Sequence, residues 1–148
     1  MSKIIHEFSV QYTTNFVHST GKKVSSSITA AEFLRDLWPS DMNHIERFYI
    51  LTLNRANQIT GFSLVSMGGC SGTVVDNKVV FQKALLSNAQ ALIVAHNHPS
   101  GQLSPSDADL KLTRKMCEAG KVLEIPILDH IILTTEGYYS FADNGKIC

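Results

Sequence analysis

The apolar run ALIVA at positions 91–95 constrains the fold of this chain more than any other feature. The run has the length of a strand, and because no polar residue alternates with the apolar ones, both faces of that strand should be buried. A strand buried on both faces needs helices above and below its sheet. The sequence therefore predicts an α/β fold, with a mixed β-sheet flanked by helices.

The other predicted elements agree with this fold class. Apolar residues at helical spacing predict three helices, over residues 28–38, 76–89 and 105–119. Thr29 is the expected N-cap of the first helix, and Gly120 is expected to end the third. Strands are predicted on either side of residues 54–58 and in the segments VLEIPILDHIILTT and YYSFAD.

The sequence predicts a single domain. A length of 148 residues suits one core, and no repeat, linker or low-complexity tract interrupts the chain. An alternating stretch at residues 4–12 predicts an edge strand. We therefore predict an N-terminal arm or edge strand over residues 1–28 and the domain itself over residues 29–148. An exposed strand of this kind can pair with a second copy of the chain, which would give a homo-oligomer, but the sequence does not determine the oligomeric state.

Charge and cysteine content bear on function and location. Thirteen Lys and Arg residues balance thirteen Asp and Glu residues, and the pI is near 7.0, whereas proteins that bind a phosphate backbone usually have a basic patch. Three cysteines without a CxxC pair argue against a disulfide framework and predict free thiols. The sequence shows neither a signal-peptide pattern nor a membrane-spanning apolar run of about 20 residues. We therefore predict a cytoplasmic protein without a membrane segment.

Two histidines, His96 and His98, directly follow the ALIVA strand. Residues i and i+2 of a strand point to the same side, so both imidazoles can converge on one point. Downstream, Ser104 is expected to cap a helix whose first turns carry Ser106 and Asp109 on one face. Two histidines and one carboxylate with an open fourth position form the ligand set of a catalytic zinc site.

A hydrolytic zinc site also needs a general base, because the attacking water must lose a proton. The spacing of residues leaves this role open. The acids available for it are Glu46, Asp76, Asp107, Glu118, Glu124 and Asp129.

Three other motif assignments fail. The triplet HNH at 96–98 is consecutive, whereas the named residues of HNH nucleases are scattered through a ββα unit. The pattern of zinc deaminases, an HxE segment followed by PCxxC, is absent from the sequence. The HExxH motif of zinc proteases is absent as well.

The spacing H-x-H-x(7)-S-x-x-D, found here at His96, His98, Ser106 and Asp109, is the metal motif of the JAB/MPN family of metalloproteases, also called JAMM. The wording HNHPSG, with LDHIIL downstream, resembles the RadC branch of that family. The resemblance extends from about residue 30 to the C-terminus. It implies the JAB/MPN architecture, which is similar to that of cytidine deaminases.

The resemblance also implies a role for each residue of the site. Zinc would be held by His96, His98 and Asp109. The base of the family is a glutamate at the start of an early strand, two positions before an aromatic residue, and Glu46 in the segment ERF matches it. Ser106 would donate a hydrogen bond to the developing oxyanion.

The leading hypothesis is a zinc-dependent hydrolase of the metallopeptidase or isopeptidase type, with a peptide or protein as substrate. The alternative is a non-catalytic or DNA-repair-associated RadC-type binding module linked to mobile elements or recombination. The resemblance implies that full-length RadC proteins carry a helix-hairpin-helix DNA-binding region fused to this domain. The 45 residues before Glu46 lack the paired glycine-containing hairpins of such a region. We therefore expect no such region here, and the neutral charge does not favour DNA as a partner.

The remaining polar residues receive structural interpretations. Asn97 is predicted to point away from the site, because it alternates with the two histidines. Asp129 and His130 lie in a strand that reads as buried, which favours structural hydrogen bonds, with support of the metal ligands as the alternative. The segment SMGGCSGT at 66–73 lacks the ending of a P-loop and is predicted to be a flexible loop at the rim of the cleft.

Overall fold

The computed structural model describes residues 22–69 and 72–148, together with Ile4, Ile5, Glu7 and Ser9. Most of the edge strand predicted at residues 4–12 therefore lies outside the described residues. The described helices and strands are, in chain order, α1 (Ser27–Leu37), β1 (Arg47–Leu53), β2 (Ile59–Met67), α2 (Asn77–Leu86), β3 (Ala91–Asn97), α3 (Asp107–Leu123), β4 (Ile127–Leu133) and β5 (Tyr138–Ser140).

The five described strands form one mixed sheet in the order β2-β1-β3-β4-β5. β3 and β4 are parallel, and the other three neighbouring pairs are antiparallel. The prediction of an α/β fold with a mixed sheet is confirmed, and the arrangement is consistent with the JAB/MPN architecture. The ALIVA run forms most of β3, the central strand.

Two apolar cores lie on opposite faces of this sheet. α1 covers one face, and α2 and α3 cover the other. Alternate residues of β3 enter the two cores: Ala91, Ile93 and Ala95 pack on the α1 side, and Leu92 and Val94 on the other. Every residue of β3 is buried, because helices cover both faces, and this explains why the run has no polar alternation.

The predicted caps of α1 and α3 are wrong by a few residues. Ser26 is the N-cap of α1, while Thr29 lies inside the helix and its hydroxyl accepts a hydrogen bond from the main-chain N–H of Ser26 at 3.2 Å. The two residues form a capping box. α3 is capped by Ser106 instead of Ser104. In both segments several neighbouring hydroxyl residues offer an acceptor, and the packing of the helix selects one of them.

α3 also continues past Gly120, which was predicted to end it. It stops before Glu124, whose φ of 58° is in the left-handed region. A Cβ at Gly120 would lie 2.4 Å from the carbonyl oxygen of Ile125, so the glycine permits close approach of the chain that leads into β4. Among the described residues, no helix is long and apolar enough to cross a membrane.

A disulfide joins Cys117 on α3 to Cys148 at the end of the chain. The prediction of free thiols is therefore wrong for these two cysteines. Cys70 lies outside the described residues. The sequence spacing did not indicate the pair, because 31 positions separate the two residues.

Candidate metal centre

The candidate site forms where β3 ends. Because β3 and β4 are parallel and α3 connects them, α3 has to begin at the edge of the sheet where β3 ends. β1 runs antiparallel to β3 and pairs Phe48 with His96, so Glu46, just before β1, lies at the same edge. The topology thus brings together the start of β1, the end of β3 and the start of α3.

Four side chains converge at this edge. Nε2 of His96 lies 2.9 Å from Nε2 of His98 and 3.3 Å from Oδ1 of Asp109. Nε2 of His98 lies 3.4 Å from Oδ2 of Asp109. Oε1 of Glu46 is farther away, 3.9 Å from Nε2 of His96. The four side chains are only 2% to 16% exposed, so water competes weakly with any ligand they share.

Two overlapping groups of these residues could hold a metal ion. The ligand atoms of Glu46, His96 and His98 all lie within 4.8 Å of one another. Asp109 is closer to both histidines than Glu46 is to His96, and each of its carboxylate oxygens faces a different imidazole. The shorter distances favour Asp109 as the third ligand and leave Glu46 beside the ligand set.

The electrostatics of the two carboxylates differ. Burial raises the pKa of Glu46 above its ordinary value, against the lowering effect of His96 and His98. Burial would also raise the pKa of Asp109, but the neighbouring imidazoles of His96 and His98 outweigh it and hold that pKa well below its usual range. The site thus favours the charged form of Asp109 and disfavours the charged form of Glu46.

Ser106 and Asp109 hold each other at the start of α3. The main-chain N–H of Ser106 donates to Oδ2 of Asp109 at 2.8 Å, and the main-chain N–H of Asp109 donates to Oγ of Ser106 at 3.1 Å. This capping box fixes the Asp109 side chain at the helix N-terminus. The x-x spacing in S-x-x-D is therefore the spacing of a helix cap, and Ser106 lies at the exposed rim of the site.

Main-chain groups of the glycine-rich loop surround Glu46. The N–H of Gly68 donates to the Glu46 carbonyl oxygen at 2.9 Å, and the N–H of Glu46 donates to the carbonyl of Gly69 at 3.4 Å. A main-chain hydrogen bond from Thr73 reaches the Glu46 carboxylate. A Cβ at Gly68 would lie 1.8 Å from the carbonyl oxygen of Gly72, so glycine is required there. The sequence placed this loop beside the site but gave no indication that it holds Glu46.

Asn97 fixes the same segment from the other side. Its side chain is fully buried, and Oδ1 accepts from the main-chain N–H of Arg47 at 2.8 Å. Nδ2 donates to the carbonyl oxygens of Met42 and Ile45 at 2.6 and 2.9 Å. Asn97 thus points away from the histidines, as alternation along the strand requires, yet its amide positions the chain on both sides of Glu46.

Replacing Asn97 with alanine should lower the free energy of unfolding by about 2–4 kcal/mol, because three buried or partly buried main-chain groups lose their partner. Urea denaturation would measure the loss. Asn54→Ala is a matched control, since the Asn54 side chain makes three comparable hydrogen bonds in the solvent-accessible turn between β1 and β2. Equal losses in the two variants would contradict a special role for Asn97.

The distal nitrogens of both site histidines are also bonded. Nδ1 of His98 lies 2.7 Å from the carbonyl oxygen of Gln102, which is able only to accept a hydrogen bond. Nδ1 of His96 lies 2.7 Å from Nε2 of His130, and Nδ1 of His130 lies 2.7 Å from the hydroxyl of Thr113. His130 is completely buried, and burial lowers its pKa well below the ordinary value.

Asp129 does not take part in these contacts. Its carboxylate accepts hydrogen bonds from the Ser140 hydroxyl at 2.6 Å, from the main-chain N–H of Ala142 at 2.9 Å and from that of His130 at 2.7 Å. These bonds tie β4 to the end of the chain, which is the structural role predicted for Asp129. The two adjacent residues therefore have different roles: Asp129 supports the fold, and the His130 side chain contacts a site histidine.

A family model described as the RadC-like JAB domain matches residues 24–146. A UPF0758 protein of Flavobacterium johnsoniae is 43% identical over 124 residues, which cover 84% of this chain and 53% of the relative. A UPF0758 protein of Thermosynechococcus vestitus is 40% identical over 120 residues, covering 80% and 46%. The chain therefore spans about half the length of these curated relatives.

Proposed function

The chain belongs to the family of RadC-like JAB domains, and we propose that this protein is a zinc-dependent hydrolase of the metallopeptidase or isopeptidase type. The proposal is carried by the convergence of two imidazole nitrogens and a carboxylate at distances of 2.9 to 3.4 Å. A second carboxylate, with a raised pKa, lies beside them. Hydrolysis of an unactivated amide uses these components.

The ligand set proposed for zinc is His96, His98 and Asp109. Zinc bonds of about 2.0–2.1 Å in a tetrahedral site place the ligand atoms roughly 3.3 Å apart, and the three distances here are 2.9, 3.3 and 3.4 Å. Imidazole and carboxylate ligands suit zinc, and three protein ligands leave one position open. Zinc bound there would lower the pKa of a coordinated water and polarise the carbonyl oxygen of an amide.

Glu46 is proposed as the general acid and base. Its carboxylate lies beside the ligand set and accepts a main-chain hydrogen bond from Thr73. Bonds to Gly68 and Gly69 hold the main chain of Glu46. A raised pKa brings a carboxylate closer to the value that suits proton transfer near neutral pH. Glu46 would accept a proton from the attacking water and donate it to the nitrogen of the departing amine.

Ser106 is proposed to bind the carbonyl oxygen of the substrate as negative charge develops on it. Its Oγ accepts the N–H of Asp109, so the hydroxyl keeps its own hydrogen for a second acceptor. A donor held by a helix cap is already in place before the substrate binds, which is what such stabilisation requires. The substrate proposed is therefore a peptide or isopeptide amide of a protein.

The activity is tested with a broad library of peptides and of lysine-linked isopeptides, using protein loaded with zinc. Cleavage of some members is expected, with loss of cleavage after chelation and recovery on adding zinc. A protein that binds zinc and cleaves no member of either library would contradict the hydrolase proposal and favour a binding module.

Zinc should also stabilise the fold. At a free zinc concentration about a hundred times the dissociation constant, binding contributes about 2.7 kcal/mol. For a chain of this size that corresponds to a rise in Tm of roughly 5–10 °C. Calorimetry of chelator-treated protein with zinc, and with magnesium as the control, would measure the shift. An unchanged Tm together with no zinc in metal analysis would remove the basis for a zinc site.

A further inference from the structure

A chain of buried hydrogen bonds links His96 back to the helix that carries Asp109. Nδ1 of His96 contacts Nε2 of His130, Nδ1 of His130 contacts Oγ1 of Thr113, and Oγ1 of Thr113 contacts the main-chain carbonyl oxygen of Asp109. Each of these three distances is 2.7 Å. The side chains come from β3, β4 and α3, so the chain crosses the core behind the candidate site.

The last acceptor sets the direction of this chain. A carbonyl oxygen only accepts, so the Thr113 hydroxyl donates its single hydrogen to Asp109. The oxygen of Thr113 must then accept from Nδ1–H of His130. A neutral imidazole with its hydrogen on Nδ1 has a lone pair on Nε2, which accepts from Nδ1–H of His96. His96 is left with a lone pair on Nε2, the nitrogen that faces His98 and Asp109.

The surroundings of His130 keep it neutral. Its side chain is 0% exposed. Its ring stacks on Phe141 with 4.4 Å between ring centres and packs edge-to-face with Phe48 at 5.6 Å between ring centres. Complete burial between two aromatic rings disfavours the imidazolium form. His130 is therefore able to donate from one nitrogen only, and the bond to Thr113 decides which one.

We propose that Thr113 and His130 are positioning residues of the metal site, which hold His96 in the tautomer with the hydrogen on Nδ1. The proposal rests on the zinc site proposed above and adds to it the means by which His96 is prepared as a ligand. Metal-binding histidines usually donate their second N–H to a carboxylate, a carbonyl or water. His98 follows that rule through Gln102, whereas His96 reaches its carbonyl through two intermediate side chains.

The position of Thr113 adds a mechanical link. Thr113 lies one helical turn after Asp109, and both residues belong to α3. The same helix thus places the Asp109 carboxylate beside Nε2 of His96. Through Thr113 and His130 it also determines that Nδ1 of His96 carries the hydrogen. A small change in the relation of α3 to β3 would alter both contacts together.

Thr113→Val tests the proposal, because valine keeps the volume of threonine and removes its hydroxyl. The zinc dissociation constant of the folded variant, measured by competition with a chromophoric chelator, should rise about 10–100-fold. Thr113→Ser restores the hydroxyl and should return the constant to near that of the wild type. The matched control is Thr52→Val, since Thr52 is also buried and its hydroxyl bonds to Thr60 on the neighbouring strand. Its zinc affinity should not change.

Each result decides the question. A purely structural hydroxyl predicts lower stability but unchanged zinc affinity in Thr113→Val, and this outcome overturns the proposal while leaving the zinc site intact. An equal loss of affinity in Thr52→Val overturns it as well, because the effect would then be general. If the wild type itself binds no zinc, the proposed zinc site fails. If Thr113→Val does not fold, Thr113→Ala carries the same expectation and the same contradiction.

Discussion

His96→Ala should abolish stoichiometric zinc binding. Nε2 of His96 is the central atom of the site, 2.9 Å from His98, 3.3 Å from Asp109 and 3.9 Å from Glu46. Without it, the proposed ligand set keeps only His98 and Asp109, which are too few ligands for a stable zinc site of the catalytic type. The loss in affinity should exceed the roughly 10–100-fold that removal of a supporting hydrogen bond costs. Equilibrium dialysis followed by metal analysis would measure it.

The control for this variant is His44→Ala, which removes an exposed histidine close in sequence to Glu46. It should keep one zinc per chain, as the wild type is expected to do. The zinc affinity of Asp109→Asn should lie between those of His96→Ala and His44→Ala, because the amide oxygen remains a possible ligand but the negative charge is lost. Full zinc occupancy with wild-type affinity in His96→Ala would show that His96 is not a ligand.

The architecture was predictable because the strongest signals in the sequence are local. The unbroken apolar run predicted the central strand, and all seven residues of β3 are buried. The short polar segment at 54–58 predicted the turn between β1 and β2. The ends of helices were less predictable, because Ser26 and Thr29 both offer capping oxygens and both take part in one capping box. Gly120 was misleading, because glycine is expected both where a helix ends and where two segments pack closely. Here the main chain of Ile125 packs against it.

The site separates in the same way into local and distant parts. His96 lies near the end of β3 and His98 one residue beyond it, and Ser106 and Asp109 form one helix cap, so spacing alone grouped them. Glu46 was identified only through the family resemblance, since its proximity depends on the antiparallel pairing of β1 with β3. No local pattern indicates such a long-range contact.

The supporting contacts could not be predicted for the same physical reason. Asn97 reaches across 55 positions to Met42, His96 across 34 to His130, and Thr113 across 17 to His130. Each of these contacts depends on the order of strands in the sheet. His130 does have a sequence signal, however: a polar residue in a mainly apolar segment must find partners when it is buried.

Glu46→Gln should reduce amide hydrolysis by about 10²–10⁴-fold, the usual contribution of a general base, while zinc affinity stays near that of the wild type. Glutamine has nearly the same shape but takes up no proton. Because burial raises the pKa of Glu46, the acid limb of the kcat/KM profile should lie above the ordinary range of a glutamate. That limb should disappear in the variant. Glu118→Gln, at an exposed position on α3, is the control and should change neither quantity.

Activity and zinc affinity, measured together, distinguish the two roles that the geometry allows for Glu46: a base beside the metal ligands, or a metal ligand itself. As a base beside the ligand set, at 3.9 Å from His96, Glu46 contributes to proton transfer and little to metal binding, so activity falls alone. As a third ligand in place of Asp109, it would contribute to both, and zinc affinity would fall together with activity in Glu46→Gln. Asp109→Asn gives the reciprocal result: for a ligand, zinc affinity falls first and activity is recovered in part at high zinc concentration. A rate that persists in Glu46→Gln at full zinc occupancy would mean that another group accepts the proton.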